Sequence, residues 1–585
     1  MQTAAPESVV RVASLNELQA AGRLVVRAGR HTVCLFADGD RVHAVDNRCP
    51  HMGFPLHRGT VCDGILTCHW HHARFDLATG GTFDQFADEL RRFPVTIDGD
   101  DVLIDAGPVA DAAAHQRKRL QDGLERDISL VIAKAAIALL ESDPSGVEVF
   151  QAGIDFGVAR RGGGWFRGLT TLTCLMNLLP RLEPSERAPA LYHGLADVAA
   201  DSAAEPPRFP LDPLPGPAPA QERLAAWFRD FVDVRDAEGA ERALVSAIRG
   251  GARPAALADM LFAAASDHRY LDGGHTLDFV NKALEALDTA GWERAEAVLA
   301  SLPAQLAGAE RMEEANSWRN PVDLVALLEA AFAELPAALA AGAAGGVLDR
   351  PALVETILED EPAAIVDAIL SALRQGAGAV DLASAVSFAA ARRIARFPTS
   401  NEFGDWDTAL HTFTFANAVE QGLRRSPSPA LLRGVLDGAI SVHLDRFLNV
   451  PAARLPEGDP DADPAALLAA LPGILDRRQQ VDEAAAIVAS FVAAGGDDRE
   501  LIAALGAALV RENRNFHTIQ CVEAAVRQHE LLAGETDAAL PLVAAARYLA
   551  AHATTSRSQR QTFDIARRLQ RGETLYEEAD GTTPS

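Results

Sequence analysis

The chain has little cysteine: six residues in 585. They are too few and too scattered for a disulfide framework. No uninterrupted apolar run reaches the ~18 residues that a membrane span needs. The N-terminus carries no secretory signal pattern. Basic residues are also short, with 54 Lys and Arg against 81 Asp and Glu, a net charge of −27. That balance argues against nucleic acid or an anionic membrane as partner. It favours solubility and docking to a basic redox partner. These absences together point to a cytoplasmic protein, and the length points to more than one domain.

Two of the six cysteines stand apart. Cys49-Pro50-His51 and Cys68-His69-Trp70-His71 make the pattern C-x-H, sixteen residues, C-x2-H. Two thiolates and two imidazoles from two boxes are what a [2Fe–2S] centre needs when cysteines hold one iron and histidines the other. Zinc also takes Cys2His2 sets, but zinc fingers pair like ligands, C-x2-4-C with H-x3-5-H. Here each box mixes one Cys with one His. Gly53, Pro55 and Gly59 follow the first box, and Thr79-Gly80 follow the second. Such residues let loop backbone close tightly around a cofactor. Cys34, Cys62, Cys174 and Cys521 are expected to be reduced, packed thiols.

These boxes resemble the Rieske iron–sulfur family, over about residues 8–106, in its ferredoxin-like branch. The resemblance implies one [2Fe–2S] cluster held by Cys49, His51, Cys68 and His71. It implies that His51 and His71 lie at the exposed edge, where electrons leave, and that an external reductase or ferredoxin reductase supplies them. High-potential members carry an extra cysteine in each box, and the two form a disulfide. Phe54 and Trp70 occupy those positions here, which implies the low-potential end of the range. His69 stands where the family often has Pro, and His72 where it often has Gly. Flanking residues fit a small all-β domain over 1–107. Arg23–Val26, Thr32–Phe36 and Arg41–Val45 read as strands, with turns at Gly29-Arg30 and Asp38-Gly39-Asp40. Pro94–Ile97 and Val102–Ile104 read as a closing hairpin around Asp98-Gly99.

The character changes near Gln116. Ala and Leu dominate, and apolar residues recur at three and four. Ile128, Val131, Ile132, Ala135, Ala136 and Leu139 form one stripe; Leu324, Leu327, Leu328 and Phe332 form another. The expected fold is a small all-β domain followed by a large all-α body with internal duplication. The expected boundaries are 108–127 for a linker and first helix, 128–345 for one helical unit and 346–585 for the second. Four landmarks carry the duplication. Phe156–Arg161 resembles Phe388–Arg393. Leu191–Asp197 resembles Leu431–Asp437. The Pro-rich stretch 206–219 has its counterpart in 451–464. Gly274-His275-Thr276-Leu277 resembles Phe516-His517-Thr518-Ile519. Offsets run from 232 to about 245, in the same order along the chain. A 20–50-residue solenoid period is not evident, although a helical-repeat arrangement stays open.

An electron acceptor within the helical body is harder to find. Rieske oxygenases hold a mononuclear iron on a D-x2-H-x4-H motif, and this chain has none. Asp272-Gly273-Gly274-His275 gives only its first half. No E-x-x-H pair of the ferritin type occurs either. The body holds eight histidines: His193, His268, His275, His411, His443, His517, His529 and His552. Histidine and carboxylate are suitable ligands for a non-haem iron. The candidate set is His275, His517 and His443 with Asp272 or Glu512. Glu402, Asp405 and His411 follow a Pro-containing break.

The expected function is an iron–sulfur-dependent oxidoreductase whose helical body receives electrons at a metal or a small-molecule substrate. Covalent tethering motivates this, because it raises the effective concentration of donor at acceptor. The alternative is an electron carrier or redox sensor whose helical body docks a partner enzyme. A third reading is an oxygenase component whose helical body binds an organic substrate without a metal of its own.

Overall fold

The computed structural model describes residues 8–575, apart from 40, 108–111, 343–344 and 574. Asp40 of an expected turn, residues 1–7 of the first domain, 108–111 of the linker and 576–585 therefore lie outside the described residues. The chain separates into two compact units. One comprises Met1–Pro144 with Gln561–Ser585, the other Ser145–Arg560.

The first unit is built on ten short strands: β1 (Val9–Ser14), β2 (Arg23–Ala28), β3 (His31–Asp38), β4 (Arg41–Asp46), β5 (Thr60–Cys62), β6 (Ile65–Thr67), β7 (Arg74–Asp76), β8 (Arg92–Phe93), β9 (Val95–Asp98) and β10 (Asp101–Asp105). They form three antiparallel sheets, ordered β1-β10-β9, β2-β3-β4-β8 and β5-β6-β7. The expected strands and closing hairpin are all present, with Asp98 opposite Asp101 across the turn. Strand β3 shows the period of two that divides a sheet's faces. Val33 and Leu35 join one core with Leu18, Phe93, Val102 and Ile104. Cys34 and Phe36 join another with Leu56, Leu66, Phe75 and Leu90. Cys49 and Cys68 belong to this second core, so the boxes are anchored from within. Cys62 departs from expectation: it lies on the short strand β5, and its thiol is exposed rather than packed.

Helices Ala112–Glu125 and Ser129–Ser142 pack together in the same unit. Val131, Ile132, Ala135, Ala136 and Leu139 of the expected stripe are buried.

The second unit is helical. At its centre helices Arg167–Leu178, His275–Ala290, Phe403–Arg425 and Phe516–Leu531 pack on one another. Every residue from Thr276 to Leu287 is buried. A helix buried all round must pair its polar groups, and Asp278, Asn281, Lys282 and Glu285 do so with neighbouring helices or with one another. The landmark segments lie in helices with matching neighbours. Val147–Arg160, Arg167–Leu178 and Pro184–Ser202 pack mutually, as do Ala379–Ala395, Phe403–Arg425 and Leu432–Leu444.

Leu324–Ala341 is 18 residues long with a mean hydropathy of 1.8, enough by length and composition to cross a membrane. Glu329 and Glu334 interrupt its apolar run. Its buried residues Leu324, Val325, Leu328, Ala331, Leu335 and Ala338 fall on one face, and the helix packs against Pro362–Arg374. It is thus a one-faced packing helix and not a clear membrane span.

Candidate metal centres

The two boxes fold alike. The N–H of Cys49 donates to the carbonyl of Phe54 at 2.8 Å, and the N–H of Cys68 donates to that of Ala73 at 2.8 Å. Each loop therefore closes five residues beyond its cysteine. This turn directs backbone N–H groups inward: those of His51 and Met52 at the Cys49 sulfur, and those of Trp70 and His71 at the Cys68 sulfur. Both cysteines are buried, at 3% and 1% exposure. The two thiols also hydrogen-bond to each other. Cys49 donates and is buried, so it keeps its proton; Cys68 accepts that bond and is pushed down to about 6, helped by the Trp70 and His71 N–H groups.

The histidines sit outward of the cysteines. His51 is half-buried and His71 exposed, with rings 4.9 Å apart at 80°. His51 Nδ1 is buried without a hydrogen-bond partner. Burial, then His71 and Lys134, pull His51 down to about 4, so its imidazole is neutral at pH 7. Adjacent thiols with inward N–H donors, and an orphaned imidazole nitrogen beside a second imidazole, fit a [2Fe–2S] cluster. Phe54 and Trp70 face each other with ring centroids 6.2 Å apart, so aromatic packing joins the two boxes at these positions. His72 has φ +61, a left-handed conformation that glycine adopts most readily.

Lys134 was not apparent from sequence. It is buried, donates to the carbonyls of Pro50 and His51, and pairs with Asp88 at 3.0 Å. Arg119 pairs with the same carboxylate at 2.6 Å. The first box is thereby tied to helices Ala112–Glu125 and Ser129–Ser142.

In the helical unit His275 and His517 meet, as the notion of a shared pocket requires, and His411 joins them. One ligand nitrogen from each lies within 4.8 Å of the others. His411 Nε2 and His517 Nε2 are 3.0 Å apart. The His275 and His411 rings are 4.2 Å apart at 67°. Burial, with the neighbouring imidazoles, holds His275 down to about 2 and His411 down to about 4. Asp407 stands one turn before His411 on the same helix, 3.5 Å from His517 Nδ1 and 3.5 Å from His552 Nε2. Tyr548 donates its hydroxyl proton to this carboxylate. Burial alone would raise Asp407, but bonds from His517, His552 and Tyr548 outweigh it and hold the carboxyl well below its usual range.

The other sequence candidates lie apart from this trio. His443 ends helix Leu432–Leu444 beside Asp360 and the carbonyl of Glu359. Asp272 accepts from Thr276 Oγ1 at 3.0 Å and the Glu310 N–H at 2.7 Å, fixing a turn. Glu512 pairs with Arg514 at 3.1 Å and accepts from Thr555. Glu402 and Asp405 form a reciprocal cap on helix Phe403–Arg425. The expected set therefore becomes His275 and His517 with His411, and the nearby acid is Asp407. Each displaced group already spends its polar atoms on local structure. The sequence groups His411 only with Glu402 and Asp405, after a Pro-containing break, and gives no sign that it meets His275 and His517.

Comparison with known proteins concerns the first unit. The family model for the Rieske [2Fe-2S] domain matches residues 8–94. The ferredoxin component of the alkene monooxygenase system of Xanthobacter autotrophicus is 32% identical over 101 residues, which is 17% of this chain and 83% of the relative. Mouse apoptosis-inducing factor 3 is 37% identical over 86 residues, but the match spans only 14% of either chain. Among solved structures, the ferredoxin of carbazole 1,9a-dioxygenase from Nocardioides aromaticivorans is 28% identical, with all of it covered by 17% of this chain at a TM-score of 0.17. The chain belongs to the Rieske [2Fe-2S] family, and its N-terminal domain takes one [2Fe–2S] cluster.

Proposed function

We propose that the chain is a cytoplasmic iron–sulfur oxidoreductase. Its Rieske domain supplies single electrons to a reaction site in the helical unit, around His275, His411 and His517. The observation that carries this reading is one chain holding both a cluster-binding domain and a convergent histidine trio.

Cys49 and Cys68 would hold one iron and His51 and His71 the other. When bound, such a cluster takes up and gives back one electron at a time. The N–H groups of His51, Met52, Trp70 and His71 stabilise negative charge on the thiolates. Burial of the cysteines excludes water from the sulfur side, while His71 remains exposed to a redox partner. Phe83 and Phe86 are exposed nearby, and the Phe86 ring lies 5.0 Å from that of His51. An external reductase would meet this edge. In the helical unit, Asp407 orients His517, and the trio presents imidazole nitrogens to a metal or an oxidisable substrate. We also infer that helical units 128–345 and 346–585 are duplicates, supported by the matching helix neighbours.

The test is reoxidation of reduced, full-length holo-protein by oxygen. A His275→Ala, His517→Ala chain should reoxidise about tenfold more slowly with its cluster absorbance intact. Equal rates would favour the second reading, an electron carrier for a separate enzyme. Relatives named as ferredoxin components of oxygenase systems support that reading.

A further inference from the structure

The second unit contains a group that cluster binding does not use. Helices His275–Ala290, Phe403–Arg425 and Phe516–Leu531 each contribute one half-buried histidine to a single point. We propose that His275, His411 and His517 form a site for one divalent first-row transition ion, with Asp407 positioning His517.

Geometry comes first. Nitrogen ligands about 2.1 Å from an ion lie roughly 3.0–3.4 Å from one another. The His411 and His517 Nε2 atoms are already 3.0 Å apart, and all three donors fall within 4.8 Å. Side-chain rotation of about an ångström closes the remainder.

Unsatisfied groups point the same way. Two Nε2 atoms facing each other can be satisfied as one hydrogen bond, with one protonated and the other accepting. His275 Nδ1 would still be buried without a partner. A buried unsatisfied polar atom costs about 1–3 kcal/mol. A shared cation offers a lone-pair acceptor for all three rings.

A carboxylate completes the arrangement. Asp407 Oδ2 lies 3.5 Å from His517 Nδ1, on the side away from the Nε2 that faces His411. Carboxylates behind metal-bound imidazoles fix the tautomer and raise ligand basicity. Asp407 is itself held by Tyr548. Arg167, whose charge reaches His275 and His411, opposes a cation, and Asp407 offsets it.

Three nitrogen donors leave positions open for water, oxygen or substrate. A cavity of about 550 Å³ lies close by. Its lining includes His552, which shares Asp407 with His517, and Asn515 and Thr518, which flank His517 in sequence.

The site stands independently of the electron's destination, and its test does too. Full-length holo-protein is incubated anaerobically with Fe(II), desalted and analysed for iron and labile sulfide. The result expected is three irons to two sulfides per chain, falling to two irons in His411→Ala with sulfide unchanged. In parallel, a Cys49→Ser, Cys68→Ser chain is titrated with Co(II). It should take up one ion with visible ligand-field bands, and affinity should fall 10–100-fold in Asp407→Asn. Circular dichroism confirms that each variant retains its helices. Two irons per chain in the wild type, or Co(II) uptake unchanged by His275→Ala, His411→Ala and His517→Ala, would overturn the assignment. Metal uptake with no effect of the trio on reoxidation would preserve the site and refute only the electron-acceptor reading.

Discussion

The imidazole rings of His275 and His517 lie 12° from parallel with centres 5.4 Å apart. They stand 242 residues apart in the chain, 517 minus 275. The same offset recurs further along these two helices. Gln520 Nε2 donates to Asp278 Oδ2, and Arg527 lies 4.0 Å from Glu285. Meetings at constant offset are what the proposed duplication would produce. His411 joins the pair from a third helix, Phe403–Arg425.

The centre of the helical unit is expected to depend on a buried cation. Lys282 Nζ lies 2.9 Å from Glu285 and 2.6 Å from Glu523, and all three side chains are nearly inaccessible. Lys282→Met should cost about 3–5 kcal/mol, because it leaves two buried carboxylates with only the more distant, partly exposed Arg527 to offset them. Urea denaturation followed by circular dichroism reads this directly. Replacing Glu285 and Glu523 with Gln in the same chain should recover part of the loss. An unchanged midpoint in the single variant would count against the buried network.

Asp445 should make the helical unit sensitive to alkali. Burial raises its carboxyl from 3.8 to about 7, and its Oδ2 has no hydrogen-bond partner. The folded value lies above the unfolded one, so its contribution is fully present below about pH 4 and lost as pH rises through 7. Asp445→Asn removes this titration. Relative to that variant, the wild type should lose ~2–4 kcal/mol between pH 4 and pH 8. Parallel pH profiles for the two proteins would rule out the assignment.

Gly80 holds the second box in place. It has φ +78, and an added Cβ would lie 2.3 Å from the carbonyl oxygen of Leu90. That carbonyl cannot move freely, because Leu90 N–H donates to Gly80 O at 2.8 Å. Gly80→Ala should destabilise the β-domain by at least about 2 kcal/mol and lower the cluster content of purified protein. Gly64 also has positive φ, but no atom lies within 4 Å of where a methyl group would sit, so Gly64→Ala should be the milder of the two.

The cysteines separate cleanly by role. Cys68→Ser should abolish labile sulfide and visible absorbance. Cys62→Ser should leave both intact, since its thiol is exposed on β5. Loss of colour in both variants would contradict the ligand assignment.

Much of the β-domain was legible because its signals are local. Short β-branched runs, Gly turns and the spacing of Cys49, His51, Cys68 and His71 each act within a few residues. Helical character was legible for the same reason. The histidine site was only half legible. His275 and His517 lie in segments that resemble each other, so comparing the chain with itself pairs them. His411 belongs to no landmark pair, and Asp407 reaches His517 only through tertiary packing. His443, Asp272 and Glu512 resemble ligands in composition, yet each is committed to a local hydrogen bond, turn or ion pair. Lys134 escaped notice because it sits on a helix whose apolar stripe gives no hint of the carbonyls of Pro50 and His51.

The most direct measurement is electron paramagnetic resonance on anaerobically reduced, full-length protein, with iron and sulfide quantified on the same sample. The expected result is a Rieske-type signal in the reduced sample, lost in Cys68→Ser, together with a separate high-spin ferric signal in an oxidised aliquot, where the cluster is silent, lost in His411→Ala. A Rieske signal alone, with two irons per chain and no response to His411→Ala, would contradict the second centre. Absence of labile sulfide would contradict the first.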